Sequence, residues 1–181
     1  QVRKRIKKFK KKNKNFDVIL SDKLIKNFNF SLSVDQKKVI QEINNDLKSE
    51  YKMFRILQGD VGSGKTIVAI LAILLANDNG FQSCLMAPTE ILANQHFNSI
   101  KQFSDQLDLK VCLLTGRTPI NEKKNILKDL LNNSIDIIVG THALIQDNVI
   151  FSRLGLVIID EQHKFGVAQR AKLWENKEIL P

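Results

Sequence analysis

Cysteine is scarce: Cys84 and Cys112 are the only two, and neither stands at a metal-ligand spacing from the other or from the three histidines. A cysteine-histidine metal cluster is therefore excluded, and each thiol, set in an apolar run, reads as a small core residue in a reducing compartment. Long hydrophobic runs are missing too. The longest, Ile67 to Ala76, is too short to span a bilayer, and the basic N-terminus has no apolar stretch or cleavage site of a signal peptide. The expected location is the cytoplasm. No internal repeat is visible, and low complexity is confined to the N-terminal lysines.

Negative charge is absent from the first 14 residues, which hold nine of the 28 basic side chains. That leaves 19 basic against 19 acidic residues, so the body is neutral and the net charge of +9 belongs to an arm. Such an arm either touches nucleic-acid phosphates or is a solvated linker. Residues 1–29 read as a basic helical tail and linker from an upstream domain. Residues 30–181 read as one α/β domain, because 43% hydrophobic and 26% charged residues are ordinary for a chain with a full core.

What is present is organised around Leu57 to Thr66, where Gly59, Gly64, Lys65 and Thr66 fill the pattern G-x-x-x-x-G-K-[ST]. Apolar Met53 to Leu57 precedes it as an expected strand, and Ile67 to Ala72 follows as a helix former. Gly59, Gly62 and Gly64 let successive N–H groups converge on an anion, with Ser63 in the same loop and the positive helix end adding attraction. Lys65 is expected on the β- and γ-phosphates of ATP, and Thr66 on Mg2+.

Along the chain, Ser33 and Gln36 fit a capping box ahead of the helical pattern Val39, Ile40, Ile43 and Leu47. The alternative for Gln36 is that its amide reads an adenine edge. Further apolar strands are expected at Cys84–Ala87, Lys110–Thr115, Ile135–Val139 and Leu156–Ile159, with a helix from Pro119 to Leu131 and a Thr89 cap on another. Five strands alternating with helices imply a parallel sheet with helices on both faces. Ligands of such sheets bind beyond the carboxyl ends of the strands, where every polar cluster falls. Asp160, after four aliphatic residues, suits magnesium, and Glu161 is the expected base for the attacking water. Gln162 and His163 either couple the γ-phosphate to other elements or satisfy hydrogen bonds in the turn.

Together, Gly59–Thr66, Ala87–Ala93 with Gln95 and His96, Leu114–Gly116, Gly140–Ile145, and Asp160–His163 with Phe165–Val167, Gln169 and Arg170 resemble superfamily two helicases. Within that group they are similar to the RecG-type ATP-dependent DNA helicases. Lys164 departs from the arginine usual there, keeping charge but losing a bidentate contact.

The resemblance implies a RecA-like ATP-binding lobe of a motor that remodels stalled forks and Holliday junctions. Helicases of this kind place a glutamine ahead of the phosphate loop, which supports the adenine role for Gln36, and His163 joins the nucleotide set. DNA-tracking positions carry over to Pro88, Thr89, Glu90, Gly116, Gly140, Thr141 and His142. A branch-recognising wedge domain and a second lobe are expected elsewhere in the same parent chain, which is expected to be a monomer. Two rivals remain: the motor of a transcription-repair coupling translocase, against which Gln162 argues, and a nucleotide-gated module that does not hydrolyse.

Overall fold

The computed structural model describes residues 19–27, 31–49 and 51–166. The basic arm of the first 14 residues, and Val167, Gln169 and Arg170 of the last motif, lie outside them. The chain divides into two units, one running to Asn79 and one starting at Gly80.

The first unit contains helices α1 (Ile19–Asn27), α2 (Val34–Lys48) and α3 (Lys65–Asp78). The expected capping box starts α2: Ser33 Oγ accepts from the Gln36 N–H at 3.2 Å, and Gln36 Oε1 accepts from the Ser33 N–H at 2.9 Å. Helix α3 is apolar on nearly every side, and Val68 and Ile70 through Ala76 are buried. A helix of that composition forms only as an interior element. Both α1 and α2 pack on it. Residues 19–27, within the stretch read from sequence as a basic helical tail and linker, form a helix that buries Ser21 and Leu24. The Asp78 carboxylate at the end of α3 accepts from the Leu20 N–H at 2.9 Å, satisfying one of the amides that a helix start leaves unpaired.

The second unit is a parallel four-stranded sheet with helices packed on it. Its strands are β1 (Gln82–Met86), β2 (Val111–Leu114), β3 (Ile137–Gly140) and β4 (Leu154–Ile159), in spatial order β2-β3-β1-β4. Helix α4 (Glu90–Leu107) packs on β2 and β3, and α5 (Ile120–Leu131) on β2. The two inner strands are buried at every position. That burial explains why they read as unbroken apolar runs rather than as alternating patterns. Cys84 is fully buried in this core, and Cys112 is half-buried beside it, where desolvation pushes its thiol pKa up.

Among the described residues four strands form where five were expected. Residues 53–57 adopt no strand, and Phe54, Ile56 and Leu57 are exposed. Strand propensity measures fit to a paired, half-buried surface, and this segment has no ladder. Arg55 anchors it, forking onto Asp46 at 2.7 and 3.1 Å and reaching Glu42 at 2.5 Å, both on α2.

One buried polar residue ties the second unit together. The Gln82 side-chain amide donates to the carbonyls of Leu130 and Ile135 at 3.0 and 2.9 Å, and its oxygen accepts from the Arg153 N–H at 3.0 Å. The end of α5, the approach to β3 and the start of β4 are thereby held to β1.

Candidate functional site

The phosphate loop lies wholly in the first unit. Gly62 and Gly64 take positive φ, 84° and 79°, a backbone region that side chains disfavour. Gly64 caps α3, and its carbonyl accepts from the Ile67 N–H at 3.1 Å. The Lys65 ammonium folds back over the loop and donates to the carbonyls of Gly59 and Asp60, each at 2.7 Å. Gln36 reaches the same loop: its side-chain nitrogen donates to the Ser63 carbonyl at 3.2 Å. A Cβ on Gly64 would collide with that nitrogen. Gln36 therefore serves the capping box through its oxygen and the loop through its nitrogen, the second a contact the sequence had not suggested. Thr66 is exposed at the start of α3.

In the second unit all strands run parallel, so their carboxyl ends share one edge of the sheet. Backbone bonds continue along that edge, from the Asp160 N–H to the Met86 carbonyl, from Ala87 to Gly140, and from Thr141 to Leu114, at 2.9 to 3.3 Å. The sequence clusters 88–90, 115–116, 141–142 and 160–163 follow these strand ends directly.

Asp160 follows β4 and is held at both oxygens. Oδ1 accepts from the Glu161 N–H at 2.9 Å, and Oδ2 lies 2.8 Å from His96 Nε2. Glu161 has φ 45°, rare for a residue with a side chain, and its carboxylate pairs with Lys164 at 2.9 Å. Backbone outliers of this kind concentrate at functional positions. His163 is exposed in the 3-10 turn Gln162–Lys164.

The expected DNA positions divide by burial. Thr89 is exposed and caps α4, its hydroxyl accepting from the Leu92 N–H at 3.3 Å, with Pro88 half-buried before it. Glu90 pairs with Arg117 at 3.1 Å, and Gly116 and His142 are exposed. Gly140 and Thr141 are buried. A Cβ on Gly140 would run into the Leu114 carbonyl and come within 3.0 Å of Leu144, so this glycine permits close strand packing.

Three side chains at these sites had no role from the sequence: His96, Arg117, and Lys164 as a partner of Glu161. His96 had one readable signal. It lies three residues after Ala93 and four before Ile100, the buried stripe of α4.

The Thr66 hydroxyl in the first unit and the Asp160 carboxylate in the second are each a hard oxygen donor of the kind magnesium takes. Among the described residues no group of three or more acidic, histidine or cysteine side chains is placed to hold a metal by itself.

A glycine loop opening a helix, and a parallel sheet whose polar residues gather at one edge, define a RecA-like phosphate-loop nucleotide-binding domain. Comparison with known proteins narrows this class. The DEAD/DEAH box helicase family matches residues 33–180, and the chain belongs to that family. It is 53% identical over 154 residues to the ATP-dependent DNA helicase RecG of Streptococcus pneumoniae, covering 83% of this chain and 23% of that protein. To the RecG helicase of Thermotoga maritima it is 50% identical over 161 residues, covering 89% of this chain and 21% of the other. Among solved structures, RecG bound to a three-way DNA junction matches with a TM-score of 0.85 and 48% identity, over 91% of this chain and 23% of that one. The chain thus spans less than a quarter of the length of these relatives.

Proposed function

We propose that residues 30–181 are the first RecA-like lobe of an ATP-dependent motor that remodels branched DNA, such as stalled forks and Holliday junctions. The observation that carries this reading is the phosphate loop: two glycines in left-handed conformation, a lysine folded over the loop, and a buried apolar helix behind it. Its N–H groups and the helix start favour a triphosphate, and Lys65 exchanges two loop carbonyls for phosphate oxygens when ATP enters. Gly59, Gly62, Ser63, Gly64 and Thr66 complete this cradle, with Gln36 and His163 as further nucleotide contacts.

Magnesium held by Thr66 and Asp160 would neutralise the charge that develops on the transferring phosphoryl group. Glu161 would take the proton of the attacking water, with Lys164 2.9 Å from its carboxylate. Pro88, Thr89, Glu90, Gly116, Gly140, Thr141 and His142 form the DNA-facing edge, Gly140 and Thr141 by supporting its shape from beneath. A second lobe and a wedge domain of the same parent chain complete the motor, which acts as a monomer in the cytoplasm. No helix among the described residues is long and apolar enough to cross a membrane.

The test is ATP hydrolysis by the full-length protein on forked, plain duplex and single-stranded DNA. Preferential stimulation by the fork supports the branch-remodelling motor. Equal stimulation by plain duplex favours the transcription-repair coupling type, and ATP binding without hydrolysis on any DNA leaves the nucleotide-gated module.

A further inference from the structure

His96 has no part in the chemistry above, yet its surroundings are specific. Helix α4 carries it on the stripe that includes buried Ala93 and Ile100, and its side chain is only 17% exposed. A polar ring in such a position needs a partner. It has one 64 residues away in sequence, Asp160, whose Oδ2 stands 2.8 Å from its Nε2. An ionised carboxylate only accepts hydrogen bonds, so Nε2 carries the proton of this contact.

The second oxygen of Asp160 is engaged as well, accepting from the Glu161 N–H at 2.9 Å, and the Asp160 N–H is fixed to the Met86 carbonyl at 2.9 Å. A side chain at the end of an edge strand is ordinarily free to turn about its own bonds. Here one donor from the chain's next residue and one from a different helix set the plane of the carboxylate. Each oxygen has two lone pairs and these donors use one apiece, so acceptor capacity remains for a cation or its waters.

We propose that His96 is the positioning residue for Asp160, donating Nε2–H to Oδ2 so that the remaining lone pairs of the carboxylate face the nucleotide's divalent cation in one fixed orientation. The proposal rests on the assignment of Asp160 to that cation. His96 touches neither nucleotide nor metal and acts only through the carboxylate. Such outer partners orient a ligand before the ion arrives, and their loss lowers metal affinity. The ring suits the task because it has few rotatable bonds and is clamped on a helix packed against the sheet.

The experiment is Mn2+ binding to the full-length protein saturated with ADP, followed by the electron paramagnetic resonance of free Mn2+, with melting temperatures recorded alongside. His96→Ala is expected to weaken Mn2+ binding by about 10-fold or more, while ADP affinity without metal stays unchanged. His96→Gln, whose amide nitrogen reaches the position of Nε2, is expected to restore most of that affinity. Wild-type Mn2+ affinity in His96→Ala, with or without a lower melting temperature, overturns the proposal and leaves a purely structural histidine. So does His96→Gln binding Mn2+ no better than His96→Ala. If the wild-type protein shows no nucleotide-dependent Mn2+ binding, the assignment of Asp160 fails first and the role of His96 falls with it.

Discussion

The Lys65 ammonium lies 2.7 Å from the Gly59 carbonyl, the first residue of its own loop. A second bond of the same length to Asp60 completes the hold, so the lysine is ordered by backbone rather than by a carboxylate. In the proposed role, phosphate binding exchanges these neutral acceptors for charged ones, which make stronger bonds to an ammonium. Lys65→Ala is expected to weaken ATP binding by about 10- to 100-fold, the worth of one or two charge-assisted hydrogen bonds. Isothermal titration measures it, and unchanged affinity removes Lys65 from the phosphate contacts.

Gln36 allows its two bonds to be separated by one substitution. Glutamate also completes a capping box, so Gln36→Glu retains the bond from the Ser33 N–H but loses the donor to the Ser63 carbonyl. The melting temperature should stay within a few degrees of wild type while nucleotide affinity falls, since the loop loses its brace and gains a like charge near the phosphates. Gln36→Ala should lose both while Ser33 Oγ still caps the helix, with about 1 kcal/mol of stability gone with the bond from the Ser33 N–H. If Gln36→Glu binds nucleotide as well as wild type, the brace is irrelevant to binding.

Two substitutions test the packing of the sheet that presents the strand ends. Gly140→Ala forces a methyl against the Leu114 carbonyl, a backbone atom that cannot move aside alone, and should cost about 2 kcal/mol or more. Gln82→Leu deprives the Leu130 and Ile135 carbonyls and the Arg153 N–H of their partner, at about 3 kcal/mol in total. Chemical denaturation reads both. Gly62→Ala is the contrast, because nothing lies within 4 Å of its Cβ and only the strain of φ 84° is added. Equal stabilities for the Gly140 and Gly62 variants would contradict this packing.

How much of this was legible beforehand depends on whether the cause was local. The Ser33 box, the Thr89 cap and the glycine loop each involve neighbours within a few residues, and their sequence patterns stood out. The inner strands were legible because burial on both faces leaves an unbroken apolar run. Residues 53–57 show the limit of that logic: the same composition yields no strand where no ladder forms. Gly140 was read as a loop contact, yet its lack of a side chain answers to Leu114 on the neighbouring strand, a distance no local pattern encodes. The His96–Asp160 pair was hidden for the same reason, being 64 residues apart.

Glu90 and Arg117 bear on the proposed DNA edge. With its carboxylate 3.1 Å from the guanidinium, Glu90 is a poor phosphate contact in its own right, whereas Arg117 is 90% exposed beyond the pair. Arg117→Ala should weaken DNA binding and lower the slope of log affinity against log salt by about 0.9, one phosphate's share. Glu90→Gln, which removes a negative charge, should strengthen binding at low salt. Fluorescence anisotropy across a salt series decides it, and an unchanged slope for Arg117→Ala would take this corner off the DNA path.

The measurement that most directly tests the motor assignment compares Glu161→Gln with wild type in the full-length protein, following ATP binding and single-turnover hydrolysis on forked DNA. Glutamine keeps the shape at this left-handed position but cannot take a proton. ATP affinity is expected to stay within about 3-fold of wild type, while hydrolysis falls by about 100-fold or more. Hydrolysis at the wild-type rate in Glu161→Gln would contradict the assignment of the base, and failure of the wild-type protein to bind ATP would contradict the reading of the loop itself.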